Sequence, residues 1–264
     1  MHTGRFQAIL PAGSKPKTRA ESLPPRLNGE TVSVKDLSER DRIQMWLVFS
    51  KYYHHVSRKK FLTDLKDKSD VILLRDLASS DVVGFSTLTT YHRNHQGRDF
   101  VVIFSGDTVI EKAYWGQTKL HSQFVRYLIA CKLANPFTPV YWFLISKGYK
   151  TYLLLSRNFP EYWPRHDLDT PAWQQEVIAS LASERFGDDF DSEKGIVAYE
   201  SHGAVCENVA PIGEEMLKKN DIRFFAERNP NHTLGHELCC LGRVDLGIVM
   251  AMAKKWVRNL RRRG

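Results

Sequence analysis

Apolar residues recur along this chain with two periods, and the switches between them outline a mixed α/β unit. Glu30 to Val34 alternates as a first strand. From Ser38, a serine suited to cap a helix, the stretch SERDRIQMWLVFSKYYHHV places Ile43, Trp46, Leu47 and Phe49 at helical spacing. A second helix over Arg58 to Lys66 turns Phe61, Leu62 and Leu65 inward. Three strands follow. Val71 to Arg75 and Val82 to Thr90 form a hairpin across Ser79 to Asp81, and Phe100 to Ile110 adds the third strand after the turn Asn94 to Gly97. Ser105-Gly106 inside that third strand marks a bulge.

From Gln117, residues Leu120, Phe124, Tyr127, Leu128 and Cys131 return at helical spacing until Pro136 and Pro139 stop the run. Val140 to Ile145 then reads as a strand and Lys147 to Arg157 as a helix. Beyond Arg165, the pattern predicts a helix over Pro171 to Phe186 with Trp173, Val177 and Leu181 on one side, and a strand over Gly195 to Tyr199. A short helix over Glu214 to Lys219 and strands over Asp221 to Phe225 and Glu237 to Val244 complete the second half.

Composition narrows the class. With 264 residues, of which 42% are hydrophobic and 26% charged, the chain can bury a substantial core. No apolar run approaches the roughly 20 residues that span a bilayer, and the N-terminal stretch lacks a leader's apolar core, so a cytoplasmic location is expected. Cys131, Cys206, Cys239 and Cys240 are irregularly spaced and read as reduced thiols. The net charge of +8 favours an anionic partner such as a phosphate-bearing cofactor, phospholipid or an acidic carrier protein. Much of that surplus lies at the two ends, which disfavours a nucleic-acid groove, and no nucleic-acid partner is expected.

Chemistry is suggested by the turn between the third meander strand and the helix after it. In Ala113-Tyr-Trp-Gly-Gln-Thr-Lys-Leu-His121, a glycine precedes a helix N-terminus, whose unpaired amides suit phosphate oxygens. The order of elements, together with Val109…Tyr114-Trp-Gly-Gln-Thr-Lys-Leu120, resembles the GNAT superfamily of acyl-CoA-dependent N-acyltransferases over about residues 30–165. The resemblance implies an α/β (α+β) fold, with a mixed, mostly antiparallel sheet flanked by helices. It also implies a fifth strand that splays from the fourth, an acyl thioester in the wedge between them, and coenzyme A pyrophosphate on the turn. Three divisions follow: an N-terminal arm (1–29), a donor-binding core (30–165), and a C-terminal extension (166–264) that completes the sheet and the acceptor pocket. In this chain Trp115 stands at the family's arginine, and Thr118 and Leu120 replace its later glycines. A remodelled coenzyme A site, a site for the acyl-phosphopantetheine arm of an acyl carrier protein, and a fold without catalysis all remain open.

By the same resemblance, the amides of Gly116, Gln117, Thr118, Lys119 and Leu120 would face the phosphates, with the side chains of Lys119 and His121 adding polar contacts. Val109 and Ile110 would offer backbone groups to the pantetheine arm. Family members often use a carboxylate on the fourth strand as base and a tyrosine on the helix after the fifth as acid. Glu111 is the preferred base here, with Asp107 nearby; Tyr152 is the preferred acid, with Tyr149 as its alternative. His236 and Glu237, on a loop entering a strand, are candidate acceptor-site groups for an amine. His232, His236 and Cys240 lack the zinc-protease spacing, so no metal is expected. The basic end of the chain, Lys254 to Arg263, reads as a capped terminal helix or a peripheral contact with anionic lipid. The expected activity is N-acyl transfer from a thioester to an amine, with a non-catalytic binding module on the same fold as the alternative.

Overall fold

A computed structural model describes residues 26–53, 57–198, 212–245, 247, 248 and 250. Most of the N-terminal arm, Cys206 and the basic C-terminal stretch lie outside the described residues. Strand β1 (Leu27–Ser33) leads into α1 (Glu39–Phe49) and α2 (Arg58–Lys66). The meander is β2 (Asp70–Asp76), β3 (Val82–His95) and β4 (Arg98–Ile110). Next come α3 (Lys119–Ala134), β5 (Val140–Ser146), α4 (Tyr149–Asn158) and β6 (Tyr162–Trp163). The remainder comprises α5 (Ala172–Phe186), β7 (Phe190–Asp191), β8 (Ile196–Val197), α6 (Glu214–Leu217), α7 (Asn220–Arg228) and β9 (Glu237–Val244).

One sheet holds every strand described, in the order β1-β2-β3-β4-β5-β9-β8-β7, with β6 also paired to β9. All pairings are antiparallel except β4 with β5, which run parallel because the α3 crossover returns the chain to the same end of the sheet. On one face, α1 and α2 cover Val71, Leu73, Phe85 and Val109, and α5 covers Phe100, Val102, Phe104 and Phe143. On the other, α3, α4 and α7 cover Ile72, Leu74, Leu88, Ile103, Trp142 and Cys240.

Ser38 does cap α1: its hydroxyl accepts from the Asp41 amide and the Asp41 carboxylate returns the bond to the Ser38 backbone. The buried stripe of this helix differs from the one expected. Met45, Val48 and Phe49 face the sheet, while Ile43 and Leu47 are exposed, because Asp41 is drawn inward by its 2.8 Å ion pair with Arg75 and fixes the helix rotation. The expected strand over 221–225 is instead α7, which buries Ile222 and Phe225 three residues apart. A short apolar run bounded by charges fits either period, and packing against α4 selects the helix.

The bulge in β4 controls the centre of the sheet. Opposite β3, Thr108 pairs with Ser86 and Ser105 with Leu88, so Gly106 and Asp107 together face Thr87 alone. Pairing of β4 with β5 ends immediately before it, at Phe104 opposite Phe143. Strand β5 continues for three residues, but only against β9, with Leu144, Ile145 and Ser146 opposite Cys240, Cys239 and Leu238.

Candidate functional site

Beyond Phe104, the backbone groups of β4 that point away from β3 have lost β5 as partner, leaving an open slot between the two strands. The open part of β4 ends in a short 3-10 turn, Lys112–Tyr114, and then the loop to α3. Tyr114 donates a 2.9 Å hydrogen bond to Asp76, and burial with that carboxylate pushes its pKa up to about 12. Trp115, half-exposed, donates from Nε1 to the Ile110 carbonyl at 2.8 Å, so one acceptor site of Ile110 expected to serve a ligand is already used. Val109 is buried in the core under α1 and α2, its backbone in register with Phe85.

Gly116 has φ +86°, a left-handed conformation, and a side chain there would meet nothing within 4 Å. The glycine is therefore required by backbone conformation and not by close approach of a neighbouring group. Gln117 accepts from the Leu27 amide at 3.2 Å and ties the loop to β1. Thr118 and Lys119 are exposed at the start of α3, Leu120 packs against the core beside Ile110, and His121 lies half-buried in the first turn. The turn thus presents a helix N-terminus outward at the end of the open slot.

The catalytic candidates separate. Glu111 lies just past the end of β4, and its carboxylate is ion-paired with Lys51 and accepts from the Tyr52 hydroxyl at 3.2 Å. Tyr152 is fully buried, its hydroxyl donating to the Pro164 carbonyl at 2.9 Å, and burial raises its pKa strongly. This corrects its assignment as the acid: it faces the layer of α7 and β6, packed on Phe225 and Tyr162. Tyr149, the first residue of α4, follows β5 after Lys147 and Gly148 and is also buried, but it is the tyrosine nearer the slot in the chain.

On the α2 and α5 face, a group of charged residues gathers at the bulge. Asp107 keeps some accessible surface, yet burial of its carboxyl group pushes its pKa above the usual carboxylate range, with Lys68 pulling the other way. Lys68 itself is pushed down, first by burial and then by Arg185. Glu237, at the start of β9, is 3.2 Å from Lys147; burial still raises its pKa, and the Asp107 charge adds to that. His236 is half-buried next to it, with its carbonyl accepting from Asn229 at 2.8 Å. The fold therefore brings Glu237 toward the same slot as Asp107, while Glu111 lies at the slot's far end. Lys68 has no local sequence signature for this role, whereas Asp107 was the carboxylate named beside the preferred Glu111, next to the expected bulge at Ser105-Gly106.

A parallel β4–β5 pair that opens after a bulge, with α3 starting from the open end, is the arrangement the resemblance implied. The fold is the mixed, mostly antiparallel α/β sheet flanked by helices that the resemblance implied. No protein-family model matches the chain, and no curated protein matches it. Solved structures similar to it include a conserved protein of Enterococcus faecalis V583 described as a probable N-acyltransferase, at 14% identity and TM-score 0.38, covering 60% of this chain and 44% of that one. A Trypanosoma brucei acetyltransferase is 16% identical at TM-score 0.35, over 55% of this chain and 100% of that chain. A GNAT family N-acetyltransferase of Escherichia coli in complex with CoA is 14% identical at TM-score 0.33, covering 48% and 64%. The match to the Enterococcus protein spans less than half of that protein's length. The strand order and the bulge of this chain, and not these distant likenesses, carry the reading of the site.

His232, one of the histidines near Cys240, directs Nδ1 at the Asn229 carbonyl (3.0 Å) and packs edge-on to Phe225. Among the described residues, no group of three or more His, Cys, Asp or Glu side chains could hold a metal ion, and no helix is long and apolar enough to cross a membrane.

Proposed function

We propose that the protein is an N-acyltransferase that moves an acyl group from a phosphopantetheine thioester to an amine. The observation that carries this reading is the slot that opens between β4 and β5 at the bulge, with a buried carboxyl group, Asp107, at its mouth. The exposed backbone of β4 suits the amides of a pantetheine arm, which would add to the strand edge as a peptide does. The first turn of α3, reached through Gly116, would receive the phosphates, with Lys119 at hand. Coenzyme A and an acyl carrier protein share that arm, and the basic chain suits both.

The donor supplies the activated acyl carbonyl. Asp107 accepts the proton that the amine loses as its nitrogen attacks, and a raised pKa brings a carboxylate closer to that task than an ordinary aspartate. Tyr149 is the group we assign to protonate the departing sulfur. Glu111, held by Lys51 and Tyr52, supports the slot's outer end. Glu237 and His236 stand on the acceptor side.

The test is calorimetric titration with coenzyme A, acetyl-CoA and a long-chain acyl-CoA, repeated on Gly116→Val and followed by thiol release with an amine panel. Binding to the wild type that the substitution weakens supports the donor site. Binding without turnover by any amine would favour the non-catalytic module, and absence of binding to all three, and to an acyl carrier protein, would remove the reading.

A further inference from the structure

Directly over the bulge, on the α2 and α5 face, the polar groups are arranged for more than an amine. A β-carbon at Gly106 would lie 2.7 Å from Thr87 Oγ1, 3.4 Å from the Phe104 ring and 3.6 Å from Lys68 Cε, so these three side chains converge on the space that glycine leaves. The Thr87 and Thr89 hydroxyls, two residues apart on β3 and so on the same face, are buried with no hydrogen-bond partner. Thr87 is only 1% exposed, and an unpaired hydroxyl at such a place costs stability unless a ligand or water completes it. Arg185 reaches over from α5, its guanidinium carbon 3.9 Å above the Phe104 ring. Its charge acts on Tyr91, the next residue on that face of β3 after Thr89.

Charges of both signs meet here, with Asp107, Asp64 and Asp67 acting on Lys68. Arg93 takes Glu184, the carboxylate beside Arg185 in the chain. Neither Arg185 nor Lys68 has a carboxylate ion pair among the described residues, whereas Lys147 and Glu237 pair with each other. An ammonium, a guanidinium and two orphan hydroxyls thus gather at the bulge beside the Asp107 carboxyl group, whose charge in turn acts on Glu237. Asp107, Asp64 and Asp67 offset the Lys68 charge, which leaves Arg185 as the cation without a carboxylate ion pair among the described residues, and water that satisfies the hydroxyls does not neutralise it.

We propose that the acceptor is an amine that also carries an anionic group, a carboxylate or a phosphate. Its anion is held over Gly106 by Lys68, Arg185 and the Thr87 hydroxyl, and its amine is turned toward Asp107 and Glu237. This rests on the acyl-transfer reading and specifies the substrate class of the same site. A simple alkylamine would leave the cationic half unfilled, and a dicarboxylic acid would set an anion against Asp107.

The experiment is saturation-transfer NMR on the full chain with three probes, β-alanine, phosphoethanolamine and ethanolamine, in wild type, Arg185→Gln and Lys68→Gln. The expected result is binding of β-alanine or phosphoethanolamine about tenfold tighter than ethanolamine, in line with charged hydrogen bonds, and loss of that advantage in both variants. The stronger of the two anionic probes identifies carboxylate or phosphate. Equal binding of ethanolamine, no binding of either anionic probe, or an advantage that survives both substitutions would overturn the proposal. Calorimetry with coenzyme A on the same samples reports the donor site separately. Retained donor binding alongside a negative NMR result therefore isolates the failure to the acceptor class, and lost donor binding points to the acyl-transfer reading itself.

Discussion

Asp107 lies on β4 and Glu111 four residues on, just past its end, yet the two ends of this stretch do different things with a carboxylate. At the outer end, Glu111 is neutralised by Lys51 and Tyr52, partners supplied by the end of α1 and the residues after it. At the bulge, Asp107 is enclosed by protein, with Lys68 opposite but not close enough to form an ion pair. A carboxylate with a fixed cationic partner is a structural tie; one destabilised by burial beside an opening is poised to exchange a proton. Position along the strand was less informative than what packs against each residue.

Turnover separates the two ends most sharply. Asp107→Asn should lower kcat by about 10²–10⁴-fold, the usual worth of a positioned base, while Glu111→Gln should stay within about tenfold of wild type. Steady-state thiol release on both variants decides this, and equal losses would erase the distinction. Smaller is the contrast between tyrosines. Tyr149→Phe is expected to lower kcat by at least about tenfold, whereas Tyr152→Phe should leave kcat alone and cost about 1 kcal/mol for its buried bond to Pro164, measured by urea unfolding.

The two glycines offer a further contrast. Gly116→Val should destabilise by about 1–2 kcal/mol, since φ +86° is strained for a branched residue, with open space around it. Gly106→Ala has the opposite origin of cost: its new methyl group must displace Thr87 Oγ1, 2.7 Å away, so it should remove acceptor binding while leaving coenzyme A titration intact.

The smallest effect is a dependence of stability on pH. Because the folded pKa of Asp107 is raised, its contribution to stability is greatest in acid, where both states are protonated. That contribution falls as pH rises from the unfolded value near 3.8 through the raised folded one. Asp107→Asn should therefore melt slightly above wild type at neutral pH, with the difference fading below pH ~4. Turnover should run the other way, rising with pH as Asp107 ionises. An Asp107→Asn variant that melts below wild type at neutral pH, with the deficit fading in acid, would show that Lys68 stabilises the ionised form after all.

Much of the frame was legible because its signals are local. Ser38 capped α1, the Asn94 to Gly97 turn joined β3 to β4, Pro136 and Pro139 followed the end of α3, and Ser105-Gly106 marked the bulge. Errors arose where tertiary contacts outvoted local pattern. Ile222 and Phe225 fit a strand until α4 packed against them as a helix, and the Asp41–Arg75 pair turned α1 away from the face its apolar residues suggested. The candidate site was harder still. Lys68, Asp107, Arg185 and Glu237 come from four separate parts of the chain, and no spacing connects them. Tyr152 looked equivalent to Tyr149 in sequence, one helical turn away; both are buried in the same core cluster, and what sets Tyr152 apart is its hydroxyl's bond to the Pro164 carbonyl.

The bulge places two residues of β4 against one of β3, a surplus of a single residue. Deleting either Gly106 or Asp107 would restore a regular ladder and let β4 run beside β5 to its end, healing the seam between the halves of the sheet. The healed protein would satisfy more of its own backbone and would have nowhere to admit a guest. On the proposed reading, the capacity to host another molecule is an imperfection one residue long, beside a β5 whose far edge is bound by β9.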